Sequence, residues 1–172
     1  YNVRQNSVIF ESGEGEEWSC RVLTDRSSSA GFVDFFTLDS SATIVSYNGE
    51  EVMASMISWV LHREHPVAYF TQNHGETADI AFSNLLTCAG YYVKQLNLKR
   101  EGVPEDAGLV VISNPKNDFE RSSDPAVATE ISRLESYVER GGSFFVTVDP
   151  HASALPVLES FVASFGISIV NT

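Results

Sequence analysis

Val67-Ala68-Tyr69-Phe70-Thr71-Gln72-Asn73-His74-Gly75-Glu76 is the stretch on which the fold turns. A short apolar run ends in a polar, glycine-bearing loop, and a helical pattern follows. The first strand, loop and helix of an α/β domain read this way, and such folds bind ligands in the loops at the carboxyl ends of their strands. His74 and Glu76 stand in such a loop.

Downstream, the pattern predicts a helix to about Ala89 with Ala78, Ala81, Phe82, Leu85 and Cys88 on its apolar face and Gly90 at its left-handed stop. Residues 93–98 alternate and read as a strand near an edge; 99–106 form a polar connection. Leu109-Val110-Val111-Ile112-Ser113 is continuously apolar, as a central parallel strand buried on both faces must be. Asp124-Pro125 predicts a helix start, with Asp as N-cap and Pro at the first position. Val127, Ile131, Leu134 and Val138 are its expected buried stripe, and Gly141-Gly142 its end. Residues 143–148 read as the next strand, closed by Asp149-Pro150-His151. A last helix carries Leu155, Leu158, Val162 and Phe165, and 167–170 read as a final strand. The order β-α-β-β-α-β-α-β implies a three-layer α/β fold with a mostly parallel sheet.

Upstream, residues 1–48 read as a β-rich extension packed on an α/β domain of residues 49–172. Val8-Ile9-Phe10 and Cys20-Arg21-Val22-Leu23 are strand-like across an acidic, glycine-bearing turn. Residues 27–31 form a loop, 32–38 a strand or helical turn, and 42–47 a strand. Asn48-Gly49-Glu50-Glu51 opens a helix whose Val52, Met53, Met56, Ile57, Val60 and Leu61 recur at helical spacing and are expected in the core. His62 and His65 suit the dipole at its end, which Pro66 fixes.

Composition narrows the function. The 172 residues suffice for one domain with a core, and 43% hydrophobic with 20% charged residues is ordinary for a globular chain. A net charge of −12 without a basic patch excludes nucleic acid and anionic membrane surfaces as partners. No run approaches the roughly 18 to 20 apolar residues of a membrane span. The chain begins at Tyr1 rather than Met, so it reads as part of a longer protein. Cys20 and Cys88 are too few for a disulfide framework; Cys88, amid a helical apolar pattern, is expected as a buried free thiol, with a Cys20–Cys88 bridge as the alternative.

Right-handed crossovers bring the loops after Thr71, Ser113 and Val148 to one edge. The first offers Asn73, His74 and Glu76, the second Asn114, Lys116 and Asp118, the third Asp149 and His151. These residues are candidates for holding a small polar or anionic ligand, with helix N-termini and Lys116 as donors. The competing reading is a metal-dependent hydrolase using His74, Glu76, Asp149 and His151, since such N/O ligands suit zinc or a harder cation. The sequence has no GxSxG, HExxH, CxxC or phosphate-cradling glycine motif.

The 67–76 stretch also resembles the strand-then-GHGE opening of the Gldg family, auxiliary proteins of ABC transporters related to gliding motility. The resemblance continues through Gly90-Tyr91-Tyr92-Val93-Lys94-Gln95-Leu96-Asn97-Leu98, Val103-Pro104-Glu105-Asp106-Ala107 and Leu109 to Asp118. It closes with Leu134-Glu135-Ser136-Tyr137-Val138-Glu139-Arg140-Gly141-Gly142-Ser143 and Asp149-Pro150, and Asn48-Gly49-Glu50-Glu51 fits it too. Asn73 departs from it, standing where the family more often has Gly. The resemblance implies a soluble domain of a membrane-anchored protein on the extracytoplasmic side of the cell membrane. Its partners would be the membrane and ATPase subunits of a transporter. The implied fold is similar to flavodoxin or to class I glutamine amidotransferases. The amidotransferase nucleophile has no counterpart here, no catalytic residue carries over and no cofactor is implied. The expectation is therefore a non-catalytic domain that binds a partner protein or small ligand. An amidotransferase-like or metal-dependent hydrolase is the alternative.

Overall fold

A computed structural model describes residues 7–24, 36–38, 41, 43–62, 64–77, 79–124, 126–149, 151 and 153–170. Expectations for 27–35 and for Ala42, Ala78, Pro125 and Pro150 lie outside the described residues. The chain divides into two compact units, Tyr1–His65 with Ile80–Tyr92, and Pro66–Asp79 with Val93–Thr172. The first unit takes two helices together with the N-terminal strands.

In the first unit, β1 (Ser7–Ser12) and β2 (Ser19–Thr24) form an antiparallel hairpin with Ile9 opposite Val22. Strand β3 (Phe36–Leu38) pairs antiparallel with β4 (Ile44–Tyr47) as a separate ribbon. Helix α1 (Gly49–Leu61) starts where Asn48 is the N-cap residue, as the sequence predicts. Its Val52 and Met56 are buried together with Phe10 of β1 packed against them, and Val60 is buried too. Met53, Ile57 and Leu61, expected in the core, are exposed. The hairpin covers one side of an apolar arc wider than itself. Helix α2 (Ile80–Cys88) begins later than the sequence suggests and buries Leu86 and Cys88, whereas Leu85 is exposed. Cys20 and Cys88 are free thiols, and burial pushes the Cys88 thiol pKa up.

In the second unit, β5 (Val67–Thr71), β6 (Tyr92–Leu96), β7 (Ala107–Ser113) and β8 (Phe144–Thr147) form a sheet in the order β6-β5-β7-β8. β5, β7 and β8 run parallel, with Tyr69 beside Val110 and Val111 beside Phe145. This strand order is flavodoxin-like, within the mostly parallel α/β sheet that the alternation predicts. The chain winds one way from β5 to β6 and the other way through β7 and β8, so the switch point lies between β5 and β7. Tyr69, Val110 and Ile112 enter the main core with Ile131, Leu134, Leu158 and Phe161 of the helices. Ala68 and Val111, which point to the opposite face, are fully buried as well. Burial on both faces is why β5 and β7 read as unbroken apolar runs.

Helix α3 (Glu130–Glu139) begins five residues beyond the expected Pro125, so that expectation is corrected. Asp124 closes a local turn instead, its Oδ1 accepting from the Ala126 amide at 2.9 Å. The real N-cap is Thr129, in a reciprocal capping box with Ser132. Val127 is consequently exposed, and Tyr137 joins Ile131 and Leu134 on the buried face. Helix α4 (Pro156–Ala163) buries Leu158, Phe161 and Val162 and leaves Phe165 beyond its end, exposed. Residues 167–170 form no strand, contrary to the alternating pattern; Ile167 and Val170 are exposed. No described helix is long and apolar enough to cross a membrane.

Candidate functional site

Parallel strands put the ends of β5, β7 and β8 on one edge, and the three candidate loops meet there. The His74 carbonyl accepts from the Lys116 and Asn117 amides at 2.7 and 2.8 Å, which sews the first loop to the second. The Asn114 amide donates to the Thr147 carbonyl at 2.9 Å, which ties the second loop to the end of β8. Lys116 Nζ then reaches Asn114 Oδ1 at 3.1 Å and Asp149 Oδ2 at 3.4 Å.

The turn that aims His74 inward depends on unusual backbone. Asn73 and Gly75 flank it at φ 82° and 71°. Glycine is required at 75 twice over, since a Cβ there would also lie 3.1 Å from Lys116 Cβ. Asn73 takes the left-handed conformation that glycine adopts freely and Asn tolerates, so the departure from Gly keeps the turn.

His74 is 1% exposed. Nδ1 lies 3.0 Å from Glu76 Oε1, and Glu76 Oε2 accepts from the His74 amide at 2.6 Å. Nε2 lies 2.9 Å from Glu130 Oε1 on the first residue of α3. That is ion-pair distance between two buried groups. Glu130 Oε2 accepts from the Glu120 amide at 2.8 Å. The Phe119 ring stacks on the imidazole at 3.9 Å and 13°. Burial works against the imidazolium, but the Glu76 and Glu130 carboxylates outweigh it and raise the His74 pKa. Burial likewise disfavours the Glu76 carboxylate, but its hydrogen bonds to the His74 ring and to backbone amides, with the charge of His74, together outweigh burial, so its pKa is lowered.

The remaining candidates are placed as follows. Asp118 turns inward to α4: its Oδ2 accepts from the Val157 amide at 2.8 Å and its Oδ1 from the Leu158 amide at 3.1 Å. The N-terminus of α4, a natural anion site, is thus filled by the protein's own carboxylate. Asp149 Oδ1 accepts from the His151 amide at 3.0 Å, and that bond, with Lys116 nearby, holds its carboxyl low. Asn73 and His151 are exposed. Loop convergence joins all eight residues to one edge, but His74, Glu76 and Asp118 are spent on internal bonds. Sequence reasoning missed Glu130 and Phe119. The Thr129–Ser132 capping pair was the available signal for Glu130, because it puts that residue at the start of α3.

A cavity lined by Pro115, Asp149, Leu155 and Glu159 measures about 10 Å³, room for at most about one water. A larger, shallow depression of about 300 Å³ lies by Pro104, Tyr137, Arg140 and Gly142, at the other end of the strands. Among the described residues no three His, Cys, Asp or Glu side chains converge as metal ligands. No protein-family model, curated protein or solved structure matches the chain.

Proposed function

We propose that this chain is a non-catalytic binding domain of a membrane-anchored ABC transporter auxiliary protein on the extracytoplasmic side. It would bind a partner protein or a small ligand, and it would be joined to the transporter's membrane and ATPase subunits through the full-length protein. One observation supports the non-catalytic half: His74, in the loop after β5 where flavodoxin-like folds receive ligands, is engaged by Glu76, Glu130 and Phe119 of the same chain. Two further facts support it. Both α3 and α4 have N-termini capped from within. The adjoining cavity is far below the roughly 300 to 1,000 Å³ of small-molecule pockets.

The hydrolase alternative needs a ring nitrogen of His74 free for a metal or substrate, and each nitrogen faces a carboxylate. The transporter half rests on the resemblance of residues 48–150 to the Gldg family and is a fold-and-motif analogy. Affinity purification of the full-length protein from detergent-solubilised membranes tests it. Co-purification of a transporter's permease and ATPase is the expected result. Recovery of the intact protein in the soluble cytosolic fraction, or hydrolase turnover lost in His151→Ala, overturns the reading.

A further inference from the structure

The Glu76–His74–Glu130 triad has a proton requirement that its geometry dictates. A neutral imidazole has one N–H, so it can donate to one carboxylate and must turn a lone pair on the other. Both nitrogens stand within 3.0 Å of a carboxylate oxygen. Making both contacts attractive takes two protons on the triad and leaves one net negative charge. Loss of one proton leaves two, in a site where the three side chains are 1, 9 and 1% exposed. Low local polarity makes that second charge costly.

Other charged groups nearby do not relieve it. From the loop after β7, the Lys116 ammonium is turned to Asn114 and Asp149, and Asp118 is bonded to α4. The Glu120 carboxylate lies 3.3 Å from Lys99 Nζ. From α3 comes Glu130, and from the ring's own loop Glu76. Phe119 covers the ring face with an uncharged surface that favours a cation.

We propose that His74 is a proton-held bolt: with the triad doubly protonated it fastens the β5 loop to the β7 loop, and loss of one proton on the alkaline side releases it. Release frees the Lys116 and Asn117 amides from the His74 carbonyl and reopens the crevice between β5 and β7. This goes beyond the transporter reading and holds whatever the domain binds.

The test is an NMR titration of the ¹⁵N-labelled chain from about pH 5 to pH 9, following the His74 ring nitrogens and amide exchange together. The expected result is a ring that loses its second proton above the ordinary imidazole value of 6.5. Across that transition, protection of the Lys116 and Asn117 amides, corrected for intrinsic base catalysis, falls about tenfold while that of Ile112 in β7 holds. Glu130→Gln, which keeps the shape and removes one charge, moves ring transition and loss of protection together to lower pH. A His74 ring that titrates at or below the ordinary value overturns the proposal. So does protection of Lys116 and Asn117 that ignores the transition. If Glu130→Gln does not fold, the titration of the unaltered chain decides alone.

Discussion

Replacing Asp118 by Ala removes the carboxylate that caps α4 from another part of the chain. Its Oδ2 and Oδ1 accept from the Val157 and Leu158 amides, and Oδ1 also holds the Phe119 amide at 2.9 Å. Losing an N-cap side chain costs about 0.5–2 kcal/mol, and losing a negative charge at a helix N-terminus about 0.3–1 more. The amides in question begin the helix that delivers Leu158, Phe161 and Val162 to the core, so fraying there loosens packing as well. A loss of about 2 kcal/mol lowers the melting temperature of a chain of this size by about 4–8 °C. Calorimetry of Asp118→Ala against the parent measures it. Asp118→Asn keeps one acceptor but turns an NH2 toward the Val157 amide, so it should fall between the two. If Asp118→Ala melts within about 1 °C of the parent, the cap is not stabilising α4, and Asp118 returns to the ligand-binding candidates.

Stability to urea should peak between about pH 4.5 and 6.5. The raised His74 pKa stabilises fully below its unfolded value of 6.5 and less as pH climbs through the folded one; the lowered Glu76 pKa stabilises above 4.5 and less as pH falls. A urea midpoint that is flat from pH 5 to 9 contradicts this. Gly142→Ala should be more destabilising than Gly141→Ala. A Cβ at 142 would sit 2.4 Å from the buried Tyr137 ring, whose hydroxyl bridges the Ser143 amide and carbonyl, whereas at 141 it meets nothing within 4 Å. Overpacking of that kind costs about 1–3 kcal/mol or more, against about 1–2 for a left-handed Ala at 141 with φ 87°. Equal melting temperatures for the two variants would refute it.

Where one physical cause sets both sequence and structure, the sequence could be read. β5 and β7 are buried on both faces, so they are apolar throughout, and parallel pairing alone sends their loops to one edge. Where a neighbour distant in sequence decides, it could not. His74 looked like a free ligand donor because Glu130 and Phe119 lie far along the chain. Asp124-Pro125 carries a proper start signal, yet Thr129 caps the helix, since both sites satisfy the same local rule. Residues 167–170 read as a strand, but a strand needs a partner, and none pairs with them among the described residues. The α1 stripe predicted more core than the hairpin covers, because periodicity reports an apolar face and not what lies against it.

The four residues of β4 are all exposed, and Ile44, Val45 and Tyr47 are among them. Such a ribbon invites neighbouring molecules to stack onto it, and mutual repulsion from the surplus of carboxylates is what keeps copies apart. Acidification strips that repulsion in the same range where the interior is most firmly knit. The protein should therefore precipitate while still folded, and salt, by screening, should carry it toward the same fate.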